Sequence, residues 1–236
     1  MITELKKHRI AGYTISIFAF SEKGQGKLEN QDNFCIYSDE KQLIIAVADG
    51  LGSAVYSKEG SQKIVSVALD VLSHTDSYET IADDIVKKWN ALIQGNINQY
   101  DTTLKFVKIT DNDVIYGGIG DGWIAFTETN KLHSLTVDNS FSNQTDSILS
   151  FNLKSKFIVE KISTECLHIG LIATDGFSED IDKENALQMF NDVEKELSDN
   201  EESFISEMMK TLINWPVKTN RDDKTVVFIK VLKEDK

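Results

Sequence analysis

Along residues 11–20 apolar and polar positions alternate, with Tyr13, Ile15 and Ile17 on one side, which predicts a β-strand. Phe34–Tyr37 and Leu43–Ala48 are short apolar runs that predict two more. The period then changes. Ser61, Ile64, Val65, Ala68, Leu69 and Leu72 recur at spacings of three and four, as do Ile81, Ile85, Trp89, Leu92 and Ile93, predicting two amphipathic helices. Asp76 and Glu79 have the spacing of a capping box ahead of the second helix. Strands are expected at Leu104–Ile109 and Val114–Ile119, joined by Asp111-Asn112-Asp113, and at Trp123–Thr127 and Leu132–Leu135, joined at Asn130. Residues 138–150 are polar with no clear period. Phe157–Ile162 and Leu167–Ala173 predict strands. Two helices follow, one through Ala186, Phe190, Val193 and Leu197, the other through Phe204, Met208, Met209 and Leu212. The acidic run at 199–202 suits a helix start, where the dipole favours negative charge. Thr225–Leu232 is the last strand.

Strands thus come in runs and helices in pairs, an α+β order. Two antiparallel sheets flanked by helix pairs would bury every apolar face named. Pro216 is the only proline and no Pro/Gly-rich linker interrupts the chain, so one continuous domain over 1–236 is expected.

Composition narrows the partners. A hydrophobic content of 41% supports a packed core. A net charge of −13 disfavours nucleic acid and anionic membranes, and it repels phosphorylated substrates unless a bound cation reverses the local sign. No segment has the length of a membrane span or the pattern of a signal peptide, and a cytoplasmic protein is expected. Cys35 and Cys166 lie in apolar stretches and read as reduced core residues. His8, His74, His133 and His168 show no metal-ligand spacing. The Gly24-Gln25-Gly26-Lys27 stretch lacks the spacing and hydroxyl of a phosphate loop.

The chemistry gathers at strand ends. Ile44–Ala48 runs into Asp49-Gly50, Ile115–Ile119 into Gly120-Asp121-Gly122, and Leu171–Thr174 into Asp175-Gly176. Asp32 and the Asp222-Asp223 pair precede strands. One Asp-Gly pair is a common turn. Several on one sheet system can converge, and converging carboxylates need protons or cations. Oxygen ligands suit hard ions such as Mg²⁺ or Mn²⁺, and glycine beside aspartate leaves room for the ion or offers a carbonyl.

Taken in order, KLENQD (27–32), VADGLGS (47–53), GGIGDGW (117–123), IATDGFSED (172–180) and NRDDKTVVFI (220–229) resemble the motifs of metal-dependent serine/threonine phosphatases of the protein phosphatase 2C type, most closely a bacterial subgroup. The resemblance implies a four-layer αββα sandwich with two metal ions at one end. Carried over motif by motif, Asp49 bridges both ions, the Gly50 carbonyl binds one, Asp175 and Asp222 hold the other, and Asp32 ligates or hydrogen-bonds metal-bound water. A third ion would fall on Asp121 with Glu179, or with Asp180 in its place. A water between two cations attacks phosphorus in line. The partner implied is a phosphorylated protein, with a cognate kinase by family habit. Residues 138–150 fall where bacterial relatives carry a flap beside the site.

Three positions depart from the pattern. The phosphate-binding arginine is Lys27, which attracts phosphate without a bidentate fork. The glutamate before the first aspartate is Gln31, and the histidine of eukaryotic members is Leu51. Lys27 and Gln31 motivate an alternative, a phosphatase-fold module that binds phosphoproteins without turning them over. Asp223 competes with Asp222 for the ligand role, and the motif alignment favours Asp222.

Overall fold

The computed structural model describes residues 2–10, 12–75, 77–128, 131–135, 145–150 and 152–234. In chain order its elements are β1 (Ile2–Ile10), β2 (Tyr13–Glu22), β3 (Asp32–Ser38), β4 (Gln42–Asp49), α1 (Ser57–His74), α2 (Ile81–Leu92), β5 (Leu104–Thr110), β6 (Asp113–Ile119), β7 (Trp123–Glu128), β8 (Lys131–Leu135), α3 (Leu153–Lys156), β9 (Ile158–Ser163), β10 (Ile169–Ala173), α4 (Asp175–Ser178), α5 (Ala186–Asp199), α6 (Glu201–Ile213) and β11 (Lys224–Lys233).

The strands form two antiparallel sheets, ordered β1-β2-β11-β10-β7-β8 and β3-β4-β5-β6-β9. The central strands are apolar on both faces because each sheet is covered on both faces. In β4, Leu43, Ile45 and Val47 face the other sheet, where they meet Ile15, Ile17 and Val227. The alternate residues Ile44, Ala46 and Ala48 face α1 and α2, against Ile64, Ala68, Leu72, Ile85 and Trp89. In the first sheet Phe18, Phe20 and Phe228 pack on Phe190, Leu197 and Phe204 of α5 and α6. The Phe204 and Phe228 rings meet edge to face at 5.4 Å. The layers are therefore helix pair, sheet, sheet, helix pair. Burying one large side chain in such a layer contributes roughly 1.5–3 kcal/mol. No described helix is long and apolar enough to cross a membrane.

Local differences from the sequence reading have physical causes. Strand β1 carries the polar sequence ITELKKHRI and has no apolar alternation to announce it; it is an edge strand, paired from Ile2↔Ser21 to Ile10↔Tyr13. Helix α2 begins at Ile81, with Thr80 at its N-cap and no side-chain cap. Asp76 of the expected capping box, the turn residue Asn130 and residues 138–144 of the expected flap lie outside the described residues. The acidic run splits: Asp199 ends α5, Asn200 caps α6 by accepting from the Ser203 amide, and Glu201 and Glu202 fill the first turn. Cys35 and Cys166 are free thiols as expected, but both are partly exposed rather than in the core.

Candidate metal and phosphate site

The register of β3 with β4 builds the first half of the site. Asp32 opens β3 and Asp49 closes β4, and the two are direct cross-strand partners. The Asp49 backbone is held by the β5 approach: its amide donates to Thr103 Oγ1 at 2.9 Å, and its carbonyl accepts from the Thr103 amide at 2.8 Å and from Thr102 Oγ1 at 2.7 Å. Gly50 is required for packing, since a Cβ there would lie 2.3 Å from the Ser57 carbonyl at the start of α1. Gln31 donates from Nε2 to Ser57 Oγ, toward the helix rather than toward the carboxylates. Leu51 brings no proton donor on its side chain; its amide donates to Asp101.

The other sheet supplies the second half. Asp175 follows β10 as the first residue of the short helix α4, and its Oδ1 accepts from the Gly176 amide at 2.7 Å. Asp222 and Asp223 precede β11. A Cβ on Gly176 would lie 2.0 Å from the Asp223 carbonyl, so the Asp175 and Asp222 segments touch backbone to backbone. The two sheets are tied by Thr174, whose hydroxyl donates to Asp32 Oδ2 at 2.8 Å and accepts from the Thr225 amide at 3.0 Å.

The electrostatics follow from this crowding. Asp32 is buried, and burial pushes its carboxyl above the usual range. Its second oxygen, Oδ1, is buried without a hydrogen-bond partner. Asp49 is pushed well up, by burial first and then by the charges of Asp32, Asp175 and Asp222. Asp175 is pushed up to about 8 by burial and then by Asp121, Asp222 and Asp32. Glu179 is raised by burial and by Asp121, Asp180 and Asp222. Each carboxylate thus lacks neutralising charge, and an orphaned oxygen sits among them. Oxygen-only donors with unmet negative charge fit a hard divalent cation. Among the described residues no three Asp, Glu, His or Cys side chains close on one point. Mg²⁺ is commonly held by only one or two carboxylates with water completing its shell, so pairs suffice.

The two neighbouring aspartates separate cleanly. The Asp223 side chain is fully buried and accepts from the Gly24 amide at 2.7 Å, the Gln31 amide at 2.8 Å and Lys27 Nζ at 3.0 Å. Its oxygens are committed to fastening residues 24–31 to β11. The Asp222 side chain is 43% exposed; it pairs with Lys27 and accepts from the Asp223 amide at 2.8 Å. Lys27 therefore lies across both aspartates. Asp180 Oδ2 is likewise occupied, accepting from Trp215 Nε1 and Asn220 Nδ2, both at 2.6 Å. Of the two acidic residues after the Thr-Asp-Gly motif, Glu179 is the one that electrostatically faces Asp121 and Asp222. Asp121 follows Gly120, whose φ of +103° favours glycine, and it accepts from Thr145 Oγ1 at 2.6 Å.

Sequence reasoning singled out the carboxylates and missed what holds them: Thr174, Thr102, Thr103, Asn220 and Lys105. Fully buried, Lys105 donates from Nζ to the Gly120 carbonyl at 2.7 Å beneath the Asp121 turn. Thr174 carried a signal, its place inside IATDGFSED; Lys105 carried none, being one of two lysines in an otherwise apolar strand.

Residues 22–215 match the family model for Protein phosphatase 2C. Protein phosphatase PhpP of Streptococcus pneumoniae is 28% identical over 144 residues, which is 55% of this chain and 57% of that protein, so the match spans little more than half of the relative's length. The fold is that of RsbX crystallised with magnesium, at a TM-score of 0.65 and 18% identity over 98% of this chain and 100% of that one. It is also that of the catalytic domain of the serine/threonine phosphatase PstP with two manganese ions, at a TM-score of 0.63 and 15% identity over 93% and 99%. With most of the chain matched by the family model and the αββα layers in place, the chain belongs to the protein phosphatase 2C family.

Proposed function

We propose that the chain, as one phosphatase 2C domain over 1–236, is a Mg²⁺- or Mn²⁺-dependent phosphatase acting on phosphoserine and phosphothreonine in proteins. The observation that carries this reading is the crowd of under-neutralised carboxylates where the two sheets meet, with Asp32 Oδ1 left without a partner. Bound divalent cations would supply positive charge to the phosphoryl oxygens and acidify the attacking water. Asp49 and the Gly50 carbonyl would serve one ion, and Asp175 with Asp222 the other. Thr174 holds Asp32 Oδ2, leaving Oδ1 to ligate an ion or hydrogen-bond its water, and Asp121 with Glu179 would take a third ion. Lys27 is the phosphate contact that the motif assigns. Leu51 offers no proton donor, so solvent protonates the leaving alkoxide. A net charge of −13 argues against nucleic acid and membrane surfaces. The reading takes a cytoplasmic phosphoprotein as substrate, admitted by the cations, with a cognate kinase as opposing partner.

Calorimetry with Mn²⁺ tests the ion count: two or more ions are expected, with binding weakened in Asp175→Asn. Hydrolysis of a phosphothreonine peptide and of p-nitrophenyl phosphate tests the reaction. Turnover no higher than that of Asp49→Asn, with either metal, would refute it. The alternative is the binding module, motivated by Lys27, which pairs with Asp222 and Asp223, and by Gln31, which donates to Ser57 and not to the carboxylates. Phosphopeptide binding without turnover would select that reading.

A further inference from the structure

We propose that Arg221 supplies the guanidinium that grips an oxyanion of the phosphorylated substrate, the task for which Lys27 is poorly suited. This rests on the phosphatase reading above. Lys27 spans Asp222 and the fully buried Asp223, so its ammonium is committed to two carboxylates, one of which also anchors the loop. A lysine in that position offers phosphate a point charge and no fork.

The chain has two arginines. Arg9 lies on the edge strand β1, with Nε 3.0 Å from Glu234. Arg221 lies one residue before Asp222 and lines a cleft of about 690 Å³ with Gln25, Gly26, Lys27, Glu179 and Asp222. Its side chain makes no ion pair or hydrogen bond among the described residues.

Its base, by contrast, is fixed. A Cβ on Gly24 would lie 2.1 Å from the Arg221 carbonyl, so the 24–27 loop presses directly on this residue. Asn220 is braced by Asp180 and by the Gly176 carbonyl, and its Oδ1 accepts from the Asp222 amide at 3.2 Å. A free guanidinium on a fixed backbone, at the mouth of a cleft that contains the candidate metal ligand, is suited to bidentate capture of a phosphoryl group or of a carboxylate beside it.

The test is calorimetric binding of inorganic phosphate to the Mn²⁺-loaded full chain, with Arg221→Ala and Arg221→Lys beside the parent. Kinetics follow on phosphopeptides with and without acidic flanking residues. Arg221→Ala should weaken phosphate binding and raise KM about tenfold or more, with the Mn²⁺ affinity changed less than about twofold. Arg221→Lys should recover only part of the loss. A loss confined to acid-flanked peptides locates the contact on a flanking carboxylate instead of the phosphoryl group. Unchanged phosphate affinity and unchanged KM on every peptide overturn the assignment. Phosphate binding that depends on Arg221 in a chain with no turnover counts against the phosphatase reading alone.

Discussion

Asp223→Asn and Asp222→Asn are adjacent isosteric changes with opposite expected consequences. Asp223 Oδ1 accepts from the Gly24 amide, and Oδ2 accepts from the Gln31 amide and from Lys27. An asparagine can turn its oxygen to only one of these sides, so its NH₂ faces a donor on the other. Nothing nearby relieves that clash, because the side chain is fully buried. Breaking one partner of a buried, hydrogen-bonded charge pair costs about 3–5 kcal/mol. For a chain of this size each kcal/mol moves Tm by about 2–4 °C, so Asp223→Asn should melt about 6–20 °C lower. Asp222 is nearly half exposed and makes one ion pair, worth at most about 1 kcal/mol after solvent screening. Asp222→Asn should therefore melt within about 4 °C of the parent, yet lose Mn²⁺ affinity. Scanning calorimetry, followed by metal titration below both melting points, reads the two effects separately. A thermally silent Asp223→Asn, or an Asp222→Asn that binds Mn²⁺ normally, would show that the roles have been exchanged.

Other outcomes follow from the same geometry. The raised Asp32, Asp49 and Asp175 carboxyls stabilise the fold while protonated, so metal-free stability is fully present below about pH 4 and is lost as pH rises toward the Asp175 value of about 8. Urea midpoints across that window should fall without metal and recover with Mn²⁺; a flat profile contradicts the crowding. Lys105 is displaced the other way, down to about 8 by burial, so the unfolded chain binds more protons than the folded one between about 8 and 10.5. Its contribution rises with pH through that window, by at most about 1.4 kcal/mol per unit. Lys105→Met should abolish that rise; urea midpoints that climb equally in the variant would remove Lys105 as its source. Gly24→Ala places a Cβ 2.1 Å from the Arg221 carbonyl and should destabilise by roughly 1–3 kcal/mol while displacing the 24–27 loop. An unchanged melting point together with an unchanged KM would mean the contact is slack.

The sandwich was legible because its central strands are doubly covered. Runs such as Ile44–Ala48 must be buried on both faces, and the helical faces through Ile64 and Phe190 had nowhere else to pack. Strand β1 was illegible for the converse reason: an edge strand with one neighbour is selected by backbone pairing, which leaves no apolar period. At the site, glycines after strand-end aspartates marked where carboxylates gather. Gly50 has a packing reason besides the expected room for an ion, because its missing side chain admits Ser57 of α1. The distinction between Asp222 and Asp223 rested on motif alignment, since it depends on which side of β11 meets residues 24–31, a contact spanning nearly 200 positions. Polar supports such as Thr174 and Lys105 are single residues in apolar surroundings, and only the packing reveals their partners.

The central claim is that the strand-end aspartates make this chain a metal-dependent phosphatase. The most direct measurement is hydrolysis of a phosphothreonine peptide by the full chain, stripped by chelator and then resupplied with Mn²⁺ or Mg²⁺, beside Asp49→Asn. Turnover should vanish after stripping, return on resupply, and fall by at least about a hundredfold in Asp49→Asn. Turnover that survives chelation, or that Asp49→Asn leaves intact, would contradict it.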